Sequence, residues 1–300
     1  MNIGEFILQQ FINAVSIGSL YALVAVGLSM IFGILRMTNF AHGDMMMVGA
    51  YGTVLMSLAG VPFPVAVAAG ALIAALVGML AERIAYRPVR GAPDVTLLLT
   101  SLALTYVLEN LAILIFSSSP WSFPTPDWMN EVYEFSDGAV TFTSANIASV
   151  FVAVVSLLSL SWFVTKTTTG LGMRAAAEDM GAAALVGLDI NKLIVIAFAI
   201  ASAMAGFGGV LWAAQAGVVE PGMGFTPLLK AFVAAIVGGF GSIAGAVLGG
   251  YLLGMLEIVI VGFLPNEVSP YRDAIVFGLL ILFLLFRPGG LVAPNKEVKL

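Results

Sequence analysis

The sequence contains no cysteine and one histidine, His42. No disulfide can staple it and no thiol chemistry is open to it. A metal centre built from several His or Cys ligands is excluded for the same reason. Charge is also scarce: Asp, Glu, Lys and Arg make up 10% of the chain, against about 25% in a soluble domain. No lysine follows a glycine, which removes the G-x-x-x-x-G-K-[ST] phosphate loop. Neither G-x-S-x-G nor H-E-x-x-H occurs. The chain therefore has no apparatus for hydrolysing ATP or for nucleophilic catalysis. The opening MNIGEFILQQ has neither a basic region nor a small-residue cleavage site, and reads as the start of a first helix rather than a removable signal.

What is present is apolar. Hydrophobic residues form 60% of the 300 positions, with 33 glycines and 14 methionines. Glycine is frequent in membrane helices, where it lets backbones approach closely. The expected fold class is all-α: a polytopic membrane protein forming one transmembrane domain over 1–300. About eight or nine transmembrane helices are expected from span length, with broken or re-entrant segments in each half. The apolar runs are Phe6–Leu35, Met45–Leu58, Phe63–Ala81, Val95–Phe116, Ala145–Val164, Leu193–Ala216, Phe225–Gly262 and Tyr271–Phe286. The first is longer than a bilayer needs and should tilt or overhang.

Basic residues orient these runs. Arg83, Arg87 and Arg90 occupy the 82–94 loop, and Lys166, Arg174 and Lys192 flank the 167–190 loop, so both face the cytoplasm. Residues 117–144 carry no Lys or Arg but do carry Asp127, Glu131, Glu134 and Asp137, so they form an exterior loop. Arg36 is then cytoplasmic and the N-terminus exterior. Arg287, Lys296 and Lys299 favour a cytoplasmic tail, which requires Phe225–Gly262 to cross twice.

Two runs are interrupted. Met30–Val54 contains RMTNFAHGD, and Ala231–Glu257 contains GGFGSIAG. A break frees backbone groups that lipid cannot satisfy, so it survives only inside protein or beside a watery cavity. Paired breaks in two halves point to a transport pathway. Asn39, His42 and Asp44 in the first, and Gly238, Gly239 and Gly241 in the second, are therefore pathway candidates. The second break, within one run, reads as a broken or re-entrant helix. The first has a plainer reading, supported by Arg36: a cytoplasmic turn, with Thr38 or Asn39 capping a helix and Asp44 near its first turn.

Carboxylates inside apolar runs are functional candidates by default. Glu109 shares a helix face with Ser101 and Thr105, and Glu257 lies two helical steps beyond Gly249. Lys230 reads as a residue snorkelling to the interface. Alanine and glycine recur every fourth residue from Ala197 to Ala213, and glycine from Gly241 to Gly249. Such stripes serve close helix packing first and a pore lining second.

The remaining oddity is Gly170–Asp189, a helical stretch that looks water-soluble between two apolar runs. Arg174, Glu178 and Asp179 share it with a run of alanines, Gly187 is placed to end the helix, and Asp189 to cap the next. A cytoplasmic helix on a transporter without a motor suggests a separate ATPase. The alternatives are an ion-coupled carrier using Glu109 and Glu257, and a non-transporting scaffold, against which the paired breaks argue.

Nearly the whole chain resembles the permease subunits of bacterial high-affinity branched-chain amino acid ABC importers. The resemblance is carried by GSLYALVAVGLSMIFGILRMTNFAHGDMMMVGAY (Gly18–Tyr51), ERIAYRPVR (Glu82–Arg90) and GMRAAAEDMGAAALVGLD (Gly172–Asp189). KAFVAAIVGGFGSIAGAVLGGYLLGMLE (Lys230–Glu257) and FRPGGL (Phe286–Leu291) carry it further. It implies an inner-membrane, multi-pass subunit that holds no cofactor and binds no nucleic acid. Its implied partners are membrane lipid, a second related permease, two cytoplasmic ATPases that spend the ATP, and a periplasmic binding protein delivering leucine, isoleucine or valine. Sister permeases carry urea, short amides or other amino acids. Such permeases dock on their ATPase through a Glu-Ala-Ala-x-x-x-Gly loop. The frame here is Gly181-Ala182-Ala183-Ala184-Leu185-Val186-Gly187. Ala182, Ala183 and Gly187 match, and Gly181 replaces the glutamate. Glu178 or Asp179 is the nearby charge that could substitute for it.

Overall fold

The computed structural model describes residues 2–136, 138–265 and 268–292. Asp137, Lys296 and Lys299 lie outside the described residues. Helix α1 (Ile3–Leu35) is the centre of the molecule. Every residue from Gly18 to Ile31 is buried, as expected of a helix that is apolar all round. It starts at a reciprocal cap: the Asn2 side chain accepts from Glu5 N–H at 2.9 Å, and Glu5 accepts from Asn2 N–H at 2.7 Å. It ends at Arg36, which takes a left-handed conformation (φ 54°) while its N–H donates to Phe32 O.

Around α1 stand α2 (His42–Leu58), α3 (Phe63–Ala81), α4 (Asp94–Phe116), α5 (Ser144–Lys166), α6 (Thr168–Glu178), α7 (Met180–Leu185), α8 (Ile190–Ala216), α9 (Phe225–Gly238), α10 (Ile243–Phe263) and α11 (Arg272–Phe286). Helix α3 continues through a π turn at Glu82–Tyr86 to Val89. Among the described residues, six helices are long and apolar enough to cross a bilayer: Ile3–Leu35, Phe63–Val89, Asp94–Phe116, Ser144–Lys166, Ile190–Ala216 and Ile243–Phe263. Helices α2, α9 and α11 are shorter.

The chain is mostly helical rather than all-α. Strands β1 (Trp121–Ser122) and β4 (Val218–Val219) pair antiparallel, as do β2 (Val132–Phe135) and β3 (Val140–Thr143). Both ribbons lie at one end of the molecule. There Gln9 of α1 exchanges two hydrogen bonds with the Thr141 backbone, at 2.9 and 2.7 Å. Ser136 Oγ also donates to Glu5 at 2.7 Å. The start of α1 and the 117–144 segment are therefore on the same side. At the opposite, Arg36 end lie the starts of α4, α8 and α10 and the ends of α3, α5, α9 and α11. The described Arg and Lys residues gather at this end, except Lys230 and Arg272.

Close approach of α10 to α1 depends on small residues. Gly250 packs on the Ala22 backbone and Gly254 on Gly18, so any side chain there would collide. Helices α4 and α5 lie outside and expose large apolar side chains, among them Leu114, Ile115, Phe151 and Trp162. That suits lipid or another apolar membrane helix.

Candidate functional site

After Arg36 the chain turns back into the protein. Met37, Asn39 and Ala41 are buried, and the first residue of α2, His42, is fully buried. His42 Nε2 lies 3.2 Å from the Val24 carbonyl, and its ring rests on Gly27, which faces the Ala201 carbonyl in the middle of α8. RMTNFAHGD is thus no surface turn. Only its beginning is at the Arg36 end, and its helix starts deep in the bundle. Neither Thr38 nor Asn39 caps α2; the N-cap is Ala41, without a side-chain bond. Asn39 is occupied elsewhere, its Oδ1 accepting from Tyr86 Oη at 2.6 Å. Tyr86 belongs to the ERIAYRPVR stretch, in which buried Glu82 ion-pairs with Arg90. That stretch therefore braces the inserted segment. Asp44 does sit in the first turn of α2.

Helix α9 begins at the same level. A Cβ on Gly43 would stand 2.7 Å from the Gly224 carbonyl oxygen, and a Cβ on Gly224 would collide with the Gly43 backbone. The N-termini of α2 and α9 therefore meet, and the two short helices run to opposite ends of the molecule. The first N–H groups of α2 donate to the carbonyls of Asn39, Phe40 and Ala41, and the dipoles of the two helices put their positive ends at this junction. Asp44 is buried there against Thr105 and within electrostatic range of Glu109. Ser101 and Thr105 are buried while the far side of α4 is exposed, so the stripe that ends in Glu109 faces inward. Glu109 Oε1 lies beside Gly222, where an added Cβ would be 3.3 Å away. Asn39, His42, Asp44 and Glu109 thus border one interior zone.

Gly238, Gly239 and Gly241 lie elsewhere. The 239–242 interruption is a tight turn at the Arg36 end, with Gly241 against Gly33 and Phe240 stacked on Phe32 at 3.8 Å. Gly238 packs on Gly245, so the small-residue stripe of α10 serves contact with α9. The last carbonyls of α9 are satisfied by the FRPGGL segment and its successor: Leu291 N–H donates to Val237 O at 2.8 Å and Val292 N–H to Gly238 O at 2.9 Å. The deep interruption in the second half is instead residues 220–224. The glycine cluster was the louder signal, but its positive φ angles at Gly239 and Gly241 build a turn between two helices.

Glu257 belongs to a third group. Lys230 Nζ is 2.7 Å from Glu257 Oε1 and 3.2 Å from Asp273 Oδ1, and Tyr21 Oη donates to Glu257 Oε2 at 2.7 Å. Lys230 is 3% exposed and lies over the Tyr21 ring. It does not snorkel, because an acidic partner lies inside reach. The signal was legible in part: a lysine and a glutamate inside one interrupted apolar run, Phe225–Gly262, have each other as the natural partner. Tyr21, Arg272 and Asp273 carried no comparable mark.

At the Arg36 end, the stretch expected as one soluble helix is two. Asp179 ends α6 and caps α7, accepting from Ala182 N–H at 3.0 Å. Ala183 is buried and anchors α7, while Arg174, Glu178 and Ala182 face outward. Leu185 and Val186 are 90% and 78% exposed. Gly187 follows with φ 88°, and Asp189 caps α8 by accepting from Lys192 N–H at 3.1 Å. Two large apolar side chains are thus left exposed at the end of a short polar helix.

Interrupted half-helices, an inward polar stripe and a short helix with an exposed apolar tip define a multi-pass membrane transport protein. Residues 10–285 match the family model for the permease component of branched-chain amino acid transport systems, and the chain belongs to that family. The family is one of transport permeases, not enzymes. The chain is 38% identical to the high-affinity branched-chain amino acid transport system permease protein BraD of Pseudomonas aeruginosa, with 97% of each chain covered. It is 36% identical to the corresponding LivH of Escherichia coli K12, again over 97% of each. LivM of the same organism matches at 28% over 95% of this chain and 70% of that one. A solved structure, PsaBC from Streptococcus pneumoniae in complex with Fab, superposes over 99% of this chain and 98% of the other. Its TM-score is 0.53 at 14% identity, so the likeness is one of fold.

Proposed function

We propose that this chain is the membrane permease subunit of an ATP-driven importer of branched-chain amino acids, working beside a related second permease. Two cytoplasmic ATPases would power it and a periplasmic binding protein would supply it. The observation that carries the reading is the exposed Leu185–Val186 tip of α7, at the basic end of a chain whose sequence lacks the G-x-x-x-x-G-K-[ST] phosphate loop. The 167–190 segment is then the ATPase-coupling element on the cytoplasmic side, with 117–144 outside. Gly181 stands where the family loop has glutamate, and Glu178, exposed at the end of α6, is the charge we assign to the contact.

The chain passes between the two ends nine times if the inserted segments before α2 and α9 are counted with their helices. That leaves the N-terminus outside and the Arg287 end inside, in keeping with the distribution of basic residues. The zone bordered by Asn39, His42, Asp44 and Glu109 is the proposed pathway, since irregular backbone at membrane depth is tolerated where it lines a cavity. Glu257, held by Lys230 and Tyr21, serves first to fix α1, α9 and α10 together.

The test is reconstitution. The full assembly in proteoliposomes should take up labelled leucine only when ATP and the binding protein are present. Uptake by this chain alone would overturn the proposal. Uptake of urea or a short amide in place of leucine would keep the machinery and change the cargo.

A further inference from the structure

Tyr86 and Arg90 tie distant parts of the molecule together. The Tyr86 hydroxyl donates to Asn39 Oδ1 at 2.6 Å, and its ring leans on Phe198 of α8 with centroids 5.2 Å apart. Arg90 divides its guanidinium: Nη2 ion-pairs with buried Glu82, and Nη1 donates to Asn191 Oδ1. Asn191 is the second residue of α8, just after the Asp189 cap and the Gly187 corner that closes α7. One short series of contacts therefore joins the corner behind the Leu185–Val186 tip to the inserted segment that leads to His42. It runs from Asn191 to Arg90 and Glu82, and through the π turn to Tyr86 and Asn39.

The joint in this series has two settings available. Glu82–Tyr86 is a π turn, closed by Arg87 N–H donating to Glu82 O. It holds one residue more than an α turn, and such turns recur at functional sites. A return to α geometry would rotate Tyr86 about the helix axis and take its hydroxyl from Asn39. The ion pair inside the turn is also half used. Glu82 Oε2 and Arg90 Nε are buried and have no hydrogen-bond partner among the described residues. A buried carboxylate oxygen without a donor is costly, and a guanidinium presents paired donors that fit both oxygens. A two-contact fork between Glu82 and Arg90 is thus a second arrangement, and reaching it turns Arg90 relative to Asn191.

We infer that Tyr86 and Arg90 are positioning residues that carry movement from the α7–α8 corner to the inserted segment before α2. Engagement of the ATPase at the exposed tip would then reset Asn39 and His42 in the interior. The inference rests on the importer reading above and names the route of coupling inside this subunit. A simple brace would hold Asn39 in one place; the half-used pair and the π turn supply a second.

The experiment uses the complete importer in proteoliposomes with its binding protein and measures leucine taken up per ATP hydrolysed. Asn191→Ala removes an exposed acceptor, and Tyr86→Phe removes one hydroxyl while keeping the ring on Phe198. In each, uptake per ATP should fall at least about fivefold, while binding-protein-stimulated hydrolysis stays within twofold. The double variant should be no worse than the poorer single one, because both cut the same series. Asn191→Asp, which still accepts from Arg90, should keep the wild-type ratio. A second readout follows the segment itself. The chain has no cysteine, so Thr38→Cys places its only thiol beside Asn39. Labelling of that thiol by a methanethiosulfonate should change in rate when vanadate traps the ATPases, and should not change when Asn191→Ala is also present. Wild-type uptake per ATP in both variants would overturn the relay. So would uptake and hydrolysis falling in proportion, as a brace alone predicts, or labelling that ignores trapping without Asn191→Ala. Leucine import by the unaltered complex leaves the importer reading standing in each of these cases. Failure of the unaltered complex to import leucine would remove the importer reading and the relay with it.

Discussion

Gly43 and Gly224 meet backbone to backbone, each occupying the space the other's side chain would need. This contact seats the N-termini of α2 and α9 against one another in the interior. It places the positive dipole ends of two helices next to Asp44 and Glu109. Gly43→Leu should therefore push the half-helices apart. Overpacking of this kind costs about 1–3 kcal/mol. The expected result is a lower thermal midpoint and at least a tenfold loss of uptake in the reconstituted assembly. A variant with unchanged midpoint and uptake would show that the junction is not tight in the working protein.

Lys230 and Glu257 should show strong coupling. Removing one member of a buried pair leaves an uncompensated charge, typically a loss of about 3–5 kcal/mol. Lys230→Met and Glu257→Leu should each lower the thermal midpoint sharply, and the double variant should recover most of that loss. Additive losses would mean that Asp273, Arg272 and Tyr21 compensate for either partner.

The tip of α7 can be altered without touching the core. Leu185→Asp should weaken ATPase binding at least tenfold and leave the thermal midpoint of the isolated permease unchanged, since the side chain meets no neighbour that packing would lose. Gly187→Val should act on the same contact by another route. Its φ of 88° costs a side-chain-bearing residue about 1–2 kcal/mol, so the α7–α8 corner should shift and uptake should fall while the spans stay folded. Normal uptake in both variants would move the docking contact elsewhere.

Glu109 separates the importer from an ion-coupled carrier. In ATP-loaded proteoliposomes, a protonophore should leave leucine uptake by the wild-type assembly unchanged, and Glu109→Gln should reduce uptake no more than severalfold. Uptake that collapses with the protonophore, and is already lost in Glu109→Gln, would assign the driving force to an ion gradient.

Much of the helical layout was legible in the sequence. The run Phe63–Ala81 coincides with α3, Val95–Phe116 with α4 to within one residue, and Leu193–Ala216 with all but the first turn of α8. Gly187 and Asp189 mark the end of α7 and the start of α8 as their residue types suggest. These are local matters: length, hydropathy and end-capping chemistry act within a few residues. The inward face of α4 was also visible in the spacing of Ser101, Thr105 and Glu109.

Depth and partnership were not local. Gly43 and Gly224 lie far apart in sequence, and only packing shows that they touch. Gly239 and Gly241 had the composition of a deep break, yet they form a turn beside Gly33. Lys230 could have reached the interface; it stays inside because Glu257 and Asp273 are brought within ion-pair distance. The short ribbons and the division of the 170–189 stretch at Asp179 likewise depended on which backbone groups found partners. The sequence by itself determined a membrane protein of many spans with a soluble helical projection, because burial in lipid is decided run by run. Tertiary structure decided which interruptions lie in the interior and which charges neutralise one another, because both depend on contacts between distant parts of the chain.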